Sequence, residues 1–183
     1  VKDQPGHSFG CNNEDGGYQA TQHLLESGRQ KVAFLGNTGR RSPEHSARHV
    51  GYLKALGAAG IDADPAVVCQ ADNDEDLGYR LVGELITDGK TFDAVFAVTD
   101  LLAIGAIRAV QDAGLSVPGD VAVVGFDDID LAAHVTPALT TVRQSTRLAG
   151  EGLVRSIVGL IKGEPVESSL MEPKLIVRES SGA

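Results

Sequence analysis

The run Val121-Ala122-Val123-Val124 is apolar without a break, is preceded by the turn signal Pro118-Gly119, and leads through Gly125 to the acids Asp127 and Asp128. A strand with one wet face alternates apolar and polar residues, so a continuous run demands cover on both faces. The chain must therefore place helices on either side of a sheet. The two carboxylates then stand at a strand's carboxyl end, which is where open α/β sheets bind ligands.

The remaining sequence supplies those helices in alternation with strands. After a short edge strand at 8–11, Asn12-Asn13 offers N-caps for a helix over 14–27 that Gly28 stops. Lys31 to Leu35 reads as a strand, Gly36-Asn37-Thr38-Gly39 as a loop, and a helix runs from Pro43 or Glu44 to Ala59, with Gly60 behind it. The pattern repeats with a strand at 66–70, a helix over 74–87, a strand at 93–98, and a helix over 101–113 capped by Thr99 or Asp100. A short helical turn within 129–135, the breaker Pro137 and a β-branched strand at 139–143 follow. A helix over 146–161 carries Leu148, Leu153, Val154, Ile157, Val158, Leu160 and Ile161 and is ended by Gly163 and Pro165, and a strand at 169–177 closes the chain. The fold class is α/β: a parallel, doubly wound sheet with right-handed crossovers.

Composition narrows function. A net charge of −9 against 16 Lys plus Arg argues that this piece does not itself grip nucleic acid, because phosphate contacts need clustered cations. No apolar run reaches membrane-spanning length, and the opening VKDQPGHSFG lacks the basic and apolar regions of a secretion signal. Cys11 and Cys69 have no metal-type spacing and read as buried thiols in a reducing, cytoplasmic setting.

Few residues carry chemistry. Asp127-Asp128-x-Asp130 admits a divalent metal or a general base, yet no Glu or His recurs at ligand spacing and alternation sends Asp127 and Asp128 apart. Asp127 is expected to accept a hydrogen bond from a neutral, hydroxylated ligand, and Asp128 to be a loop acid capping the next helix. The stretch 36–42 lacks both the Walker A ending and the dinucleotide glycine pattern, which leaves a polar binding loop. Arg48 on its helix reads, from the residues alone, as an ordinary solvated or ion-paired side chain ahead of a ligand contact, and Thr99-Asp100 as a helix cap or a ligand contact. His7, His23, His45, His49 and His134 have no Ser or Cys partner in a triad-like context. No catalytic set, metal or cofactor is expected.

One ordered set of stretches resembles the effector-binding core of the lactose repressor/galactose repressor (LacI/GalR) family of bacterial transcription regulators. It comprises Asn13-Glu-Asp-Gly-Gly-Tyr-Gln-Ala with His23-Leu-Leu; Lys31-Val-Ala-Phe-Leu-Gly; Arg48-x-x-Gly-Tyr; Phe92-Asp-Ala-Val-Phe-Ala-Val-Thr-Asp; Val117 to Asp128; Leu139-Thr-Thr-Val-Arg-Gln; and the ending Leu175-Ile-Val-Arg-Glu-Ser. The resemblance implies two type I periplasmic-binding-protein-like lobes joined by three crossovers, near Cys11 to Asn13, Arg143 to Gln144 and Met171 to Pro173. Residues 12–142 plus 173–183 would form the C-terminal lobe. Residues 1–11 plus 144–172 would be remnants of the N-terminal lobe, with the helix-turn-helix headpiece absent.

On this mapping Arg48, Asp127 and Gln144 fall at effector-contacting positions, Thr99 where some members carry a ligand-binding Asn, and Asn73 where others carry a stacking aromatic. The implied protein is a homodimer that binds a small sugar or metabolite and, through its headpiece, operator DNA. The helix at 101–113 and the segment 129–137 are expected dimer surfaces, because their apolar residues exceed what one lobe should need. The alternatives are a periplasmic sugar-binding protein serving an ABC transporter and a metal enzyme built on Asp127 and Asp128.

Overall fold

Eight strands and five α-helices make up the computed structural model, which describes residues 9–40, 42–164, 166 and 168–182. In chain order they are β1 (Phe9–Cys11), α1 (Asn13–Glu26), β2 (Val32–Leu35), α2 (Pro43–Ala58), β3 (Val68–Cys69), α3 (Glu75–Thr87), β4 (Ala94–Ala97), α4 (Asp100–Asp112), β5 (Ala122–Asp127), β6 (Thr140–Arg143), α5 (Thr146–Lys162), β7 (Ser169–Met171) and β8 (Lys174–Ile176). The main sheet runs β3-β2-β4-β5-β6-β8, parallel except for β8, which pairs antiparallel with β6. The doubly wound sheet is thus mixed at one edge. The central strands β2 and β4 are buried at every position, and β5 is buried from Ala122 to Phe126.

Two expectations change in detail. The strand over 66–70 shrinks to Val68–Cys69 because Pro65, behind the cap Asp64, starts a 3-10 turn over Pro65–Val67. The closing strand over 169–177 is two strands in two sheets: β7 pairs parallel with β1, whereas β8 joins the main sheet. Pro173 between them lacks the N–H that a continuous ladder needs. Cys11 and Cys69 are free but half-buried rather than buried, and Ser8, His7, Arg41 and Pro165 lie outside the described residues.

Glycines set how the helices cross. A Cβ on Gly17 would lie 2.2 Å from the Arg48 carbonyl oxygen, and one on Gly51 2.0 Å from that of Glu14. The same device joins α3 to α4, where Gly78 faces the Leu102 carbonyl at 2.3 Å and Gly105 that of Glu75 at 2.0 Å. Each helix pair touches backbone to backbone, and the first contact sits directly on Arg48.

Two helices depart from the ordinary pattern. In α4 the apolar side chains Leu102, Ala103, Ala106, Ile107 and Val110 are buried within this chain, which leaves Leu101 and Ile104, both half-buried, as the large apolar residues of its outer side. In the 129–137 segment Leu131 does stand out, 46% exposed. The helix α5 is the reverse of α4: it rests on β1, buries only Ser156 and Gly159, and leaves all seven of its large apolar side chains outside, Ile161 at 80% exposure.

The close helix contact generates a prediction. Gly51→Ala should destabilise the fold by about 1–3 kcal/mol through overpacking, despite a helix-propensity gain of about 1 kcal/mol. Gly57→Ala, with open space around its Cβ, should stabilise by up to about 1 kcal/mol. Urea unfolding of both variants checks the pair, and equal effects would refute the crossing argument.

Candidate functional site

The parallel strands β3, β2, β4, β5 and β6 end along one edge, and that edge collects the polar residues singled out in the sequence. Arg48 is its centre. Ser42 caps α2 by accepting from the His45 N–H, Pro43 opens the helix, and Gly51 lets it lie on α1. Arg48 is therefore not a solvated side chain: it is 4% exposed. Its Nε donates to Asn13 Oδ1 at 2.8 Å and its Nη1 to the Val98 carbonyl, while the guanidinium carbon lies 3.6 Å from the centroid of the Phe126 ring. Burial pulls its pKa down, and Asp127 is the first of the charges opposing that.

Asp127 completes the constellation. Its Oδ1 lies 3.6 Å from Arg48 Nη1 and accepts from Gln144 Nε2 at 2.6 Å. Burial raises the carboxyl pKa, with Arg48 and then Gln144 pulling it back. The Asp127 side chain is still 27% exposed, so it keeps acceptor capacity toward solvent. Both Asp127 (φ 114°) and Asp128 (φ 55°) have left-handed backbone, an arrangement that costs about 1–3 kcal/mol per residue and collects at functional sites.

Asp128 is not a helix cap. The 3-10 turn Asp130–Ala133 has no side-chain cap, and Asp128 instead accepts from Arg143 Nε at 2.5 Å and Arg178 Nη2 at 2.7 Å. Burial pushes its carboxyl up, but the two arginines outweigh that and hold it below the usual carboxylate range. Arg143 is the last residue of β6, and Arg178 follows β8. Asp128 therefore ties the end of β6 to the segment after β8, while Asn12 N–H, donating to the Met171 carbonyl at 3.0 Å, ties the chain after β1 to the end of β7.

Thr99 caps α4, its hydroxyl accepting from the Leu102 N–H at 3.4 Å, and it is 4% exposed. Asn73 is exposed in the loop between β3 and α3. Asp100 is wholly buried: Oδ1 accepts from the Thr141 hydroxyl at 2.5 Å and Oδ2 from the Ile129 N–H at 2.9 Å. Burial drives its pKa up to about 7 against those two hydrogen bonds. Gly125 is what makes room for it, since a Cβ there would sit 2.3 Å from Oδ1.

The alternative chemistries find no support in the geometry. Asp127 and Asp128 diverge onto different partners, and among the described residues no three His, Cys, Asp or Glu converge as metal ligands. His23 meets the Ser181 hydroxyl, His134 the Asp130 carbonyl, and His49 stacks on Tyr52. Sequence reasoning missed Asn13 and Phe126, which position Arg48. Two adjacent asparagines where one cap suffices was the signal for Asn13; Phe126 gave none.

Comparison with known proteins identifies the fold and the family. Residues 21–181 match the periplasmic binding protein-like domain family, which is the class this α/β fold represents. The regulator CelR of Thermobifida fusca is 39% identical over 174 residues, covering 92% of this chain and 50% of its own length. The structure of a CelR–cellobiose complex superposes with a TM-score of 0.88 over 95% of this chain and 54% of that one, at 39% identity. A protein of Sanguibacter keddieii described as a LacI-family transcriptional regulator shows 35% identity and a TM-score of 0.90 over 98% of this chain and 69% of its own. A dimeric Lac repressor shows 28% identity and a TM-score of 0.91 over 98% and 66%. The chain belongs to the LacI family of transcriptional regulators. It spans about half the length of CelR, and these relatives are regulators rather than transport receptors or enzymes.

Asp100 yields a pH prediction. Its folded pKa is raised above the unfolded value, so its contribution to stability is complete below about pH 4 and is lost as pH rises through about 7. Burial lowers the pKa of His23, His45 and His49, which act oppositely, costing stability as pH falls through about 6.5. The difference in unfolding free energy between Asp100→Asn and the parent isolates Asp100, and it should move in the variant's favour from pH 4 to 7. A pH-independent difference would refute the assignment.

Proposed function

We propose that this chain is the effector-receiving part of a LacI-family regulator, with a neutral, polyhydroxylated ligand held at Arg48, Asp127 and Gln144 in a cleft between two lobes. The carrying observation is the single carboxylate of Asp127 shared by a buried arginine and a crossover glutamine. Because Arg48 and Asp127 offset each other's charge, the site favours a neutral ligand, and an ionised carboxylate is a strong, oriented acceptor for hydroxyls. Thr99 borders the site through its hydroxyl proton, which capping does not use, and Asn73 lies farther along the same edge. A sugar is the ligand class best supported by these groups and by the cellobiose bound to CelR.

In this reading residues 12–142 and 173–183 form one lobe, and residues 1–11 and 144–172 belong to the other, of which further chain would cover the apolar sides of α5. The crossovers flanked by Asp127–Gln144 and Asp128–Arg143–Arg178 act as hinges. A ligand that binds one lobe orientation better than another shifts the population toward it. In a homodimer whose surface includes the 129–137 segment, that shift alters the spacing of DNA-binding headpieces and hence operator affinity. The regulator works in the cytoplasm, where its operator lies, and needs no cofactor or metal.

Isothermal titration of the full-length protein tests the site. Asp127→Asn, a residue type that tolerates positive φ, and Arg48→Ala should each weaken effector binding by about 2 kcal/mol or more, roughly thirtyfold. Operator binding without effector should survive in Asp127→Asn while its response to effector is lost. Unchanged effector affinity in both variants would overturn the assignment.

A further inference from the structure

We propose that Asp100 and Thr141 are positioning residues for effector binding: together they grip the two peptide N–H groups that follow Asp127 and so hold its carboxylate toward Arg48 and Gln144. This rests on the reading of Asp127 as a ligand-binding residue and assigns the parts that aim it.

The backbone shows why a grip is needed. Asp127 and Asp128 have φ of 114° and 55°, a region that non-glycine residues occupy at a cost and keep only when their surroundings hold them there. Rotation of the peptide between the two would carry the Asp127 carboxylate off its partners. The ion pairs of Asp128 hold its carboxylate, but its peptide N–H and that of Ile129 must be satisfied separately.

Those two donors run into the core. Asp128 N–H donates to Thr141 Oγ1 at 3.3 Å, the Thr141 hydroxyl donates in turn to Asp100 Oδ1 at 2.5 Å, and Asp100 Oδ2 accepts from the Ile129 N–H at 2.9 Å. A peptide N–H can only donate, so Thr141 must offer an oxygen to Asp128 and send its own proton elsewhere, while Ile129 needs a second oxygen. One carboxylate meets both demands. Thr141 stands opposite Gly125 in the β5–β6 ladder, and a Cβ on Gly125 would lie 2.3 Å from Asp100 Oδ1. The strand that carries Asp127 thus gives up a side chain two residues earlier to admit the acid.

Helix capping does not explain Asp100. Thr99 already caps α4, and Asp100 is wholly buried, where a charge costs most. Burial drives its carboxyl up to about 7, and Asp127 and Asp128 add to that rise. A neutral side chain would escape both penalties if packing were the only demand.

Full-length Thr141→Val and Thr141→Ser test the grip, since only serine keeps the hydroxyl. Ligand-free crystal structures should show the Asp127 carboxylate turned off Gln144 in Thr141→Val and seated on it in Thr141→Ser. Calorimetric titration with glucose, galactose and cellobiose should give Thr141→Val about tenfold weaker binding of whichever sugar the parent binds, and Thr141→Ser binding within about threefold of the parent, the scale of one to two hydrogen bonds. Leu85→Ala, a core truncation on α3, should lower the melting temperature and leave that affinity unchanged. If Thr141→Val does not fold, the double variant Asp100→Asn/Thr141→Val, which leaves no buried carboxylate there, replaces it in both measurements. Asp127 unmoved in the valine variant, or an equal loss of affinity in Leu85→Ala, would overturn the inference. If none of the three sugars binds the parent, the sugar reading falls and the crystal structures alone decide the grip.

Discussion

A buried guanidinium organises this molecule. Arg48 cannot leave water without partners for its donors and charge, since an uncompensated buried ion costs several kcal/mol. Its partners come from three parts of the chain: Asn13 at the start of α1, the Val98 carbonyl after β4, and the Phe126 ring and Asp127 carboxylate on β5. Satisfying one side chain therefore fixes where two helices and two strands meet. The glycine contact between Gly17 and the Arg48 carbonyl locks the same point from the backbone side.

From that point the adjacent acids of β5 divide two tasks. Asp127 faces Arg48 and Gln144, whereas Asp128 faces Arg143 and Arg178. Left-handed backbone at both residues turns neighbouring carboxylates onto different partners, and the hydrogen bonds around them hold that conformation against its intrinsic cost. In the proposed mechanism this is how a ligand contact at one residue is felt at the crossovers through the next. Sequentially adjacent residues need no longer path.

Much of the fold was legible. Caps, starts and stops at Asn12, Pro43, Thr99 and Gly163 placed their helices to within a residue or two, because their side-chain or backbone chemistry acts locally. The buried run at 121–124 correctly demanded two helical layers. Where a local signal competed with pairing, reading failed: Pro65 curtailed β3, and the last strand split at Pro173 because its two halves find partners in different sheets. The apolar stripe of α4 could not reveal whether this chain or a second would cover it, since periodicity marks a face and not its partner.

The site divides in the same way. Sequence alone determined the element order, the edge at which polar groups gather, and the family, because these follow from local capping, burial periodicity and an ordered set of motifs. Only the tertiary structure decided that Arg48 is buried and not solvated, that Asn13 and Phe126 hold it, that Asp128 bridges two arginines, and that Asp100 is a buried acid made possible by Gly125. Each of these depends on groups far apart in the chain meeting at a distance of a few ångströms. Residue types along one strand or helix carry no information about that meeting until the sheet order and the helix crossings are set.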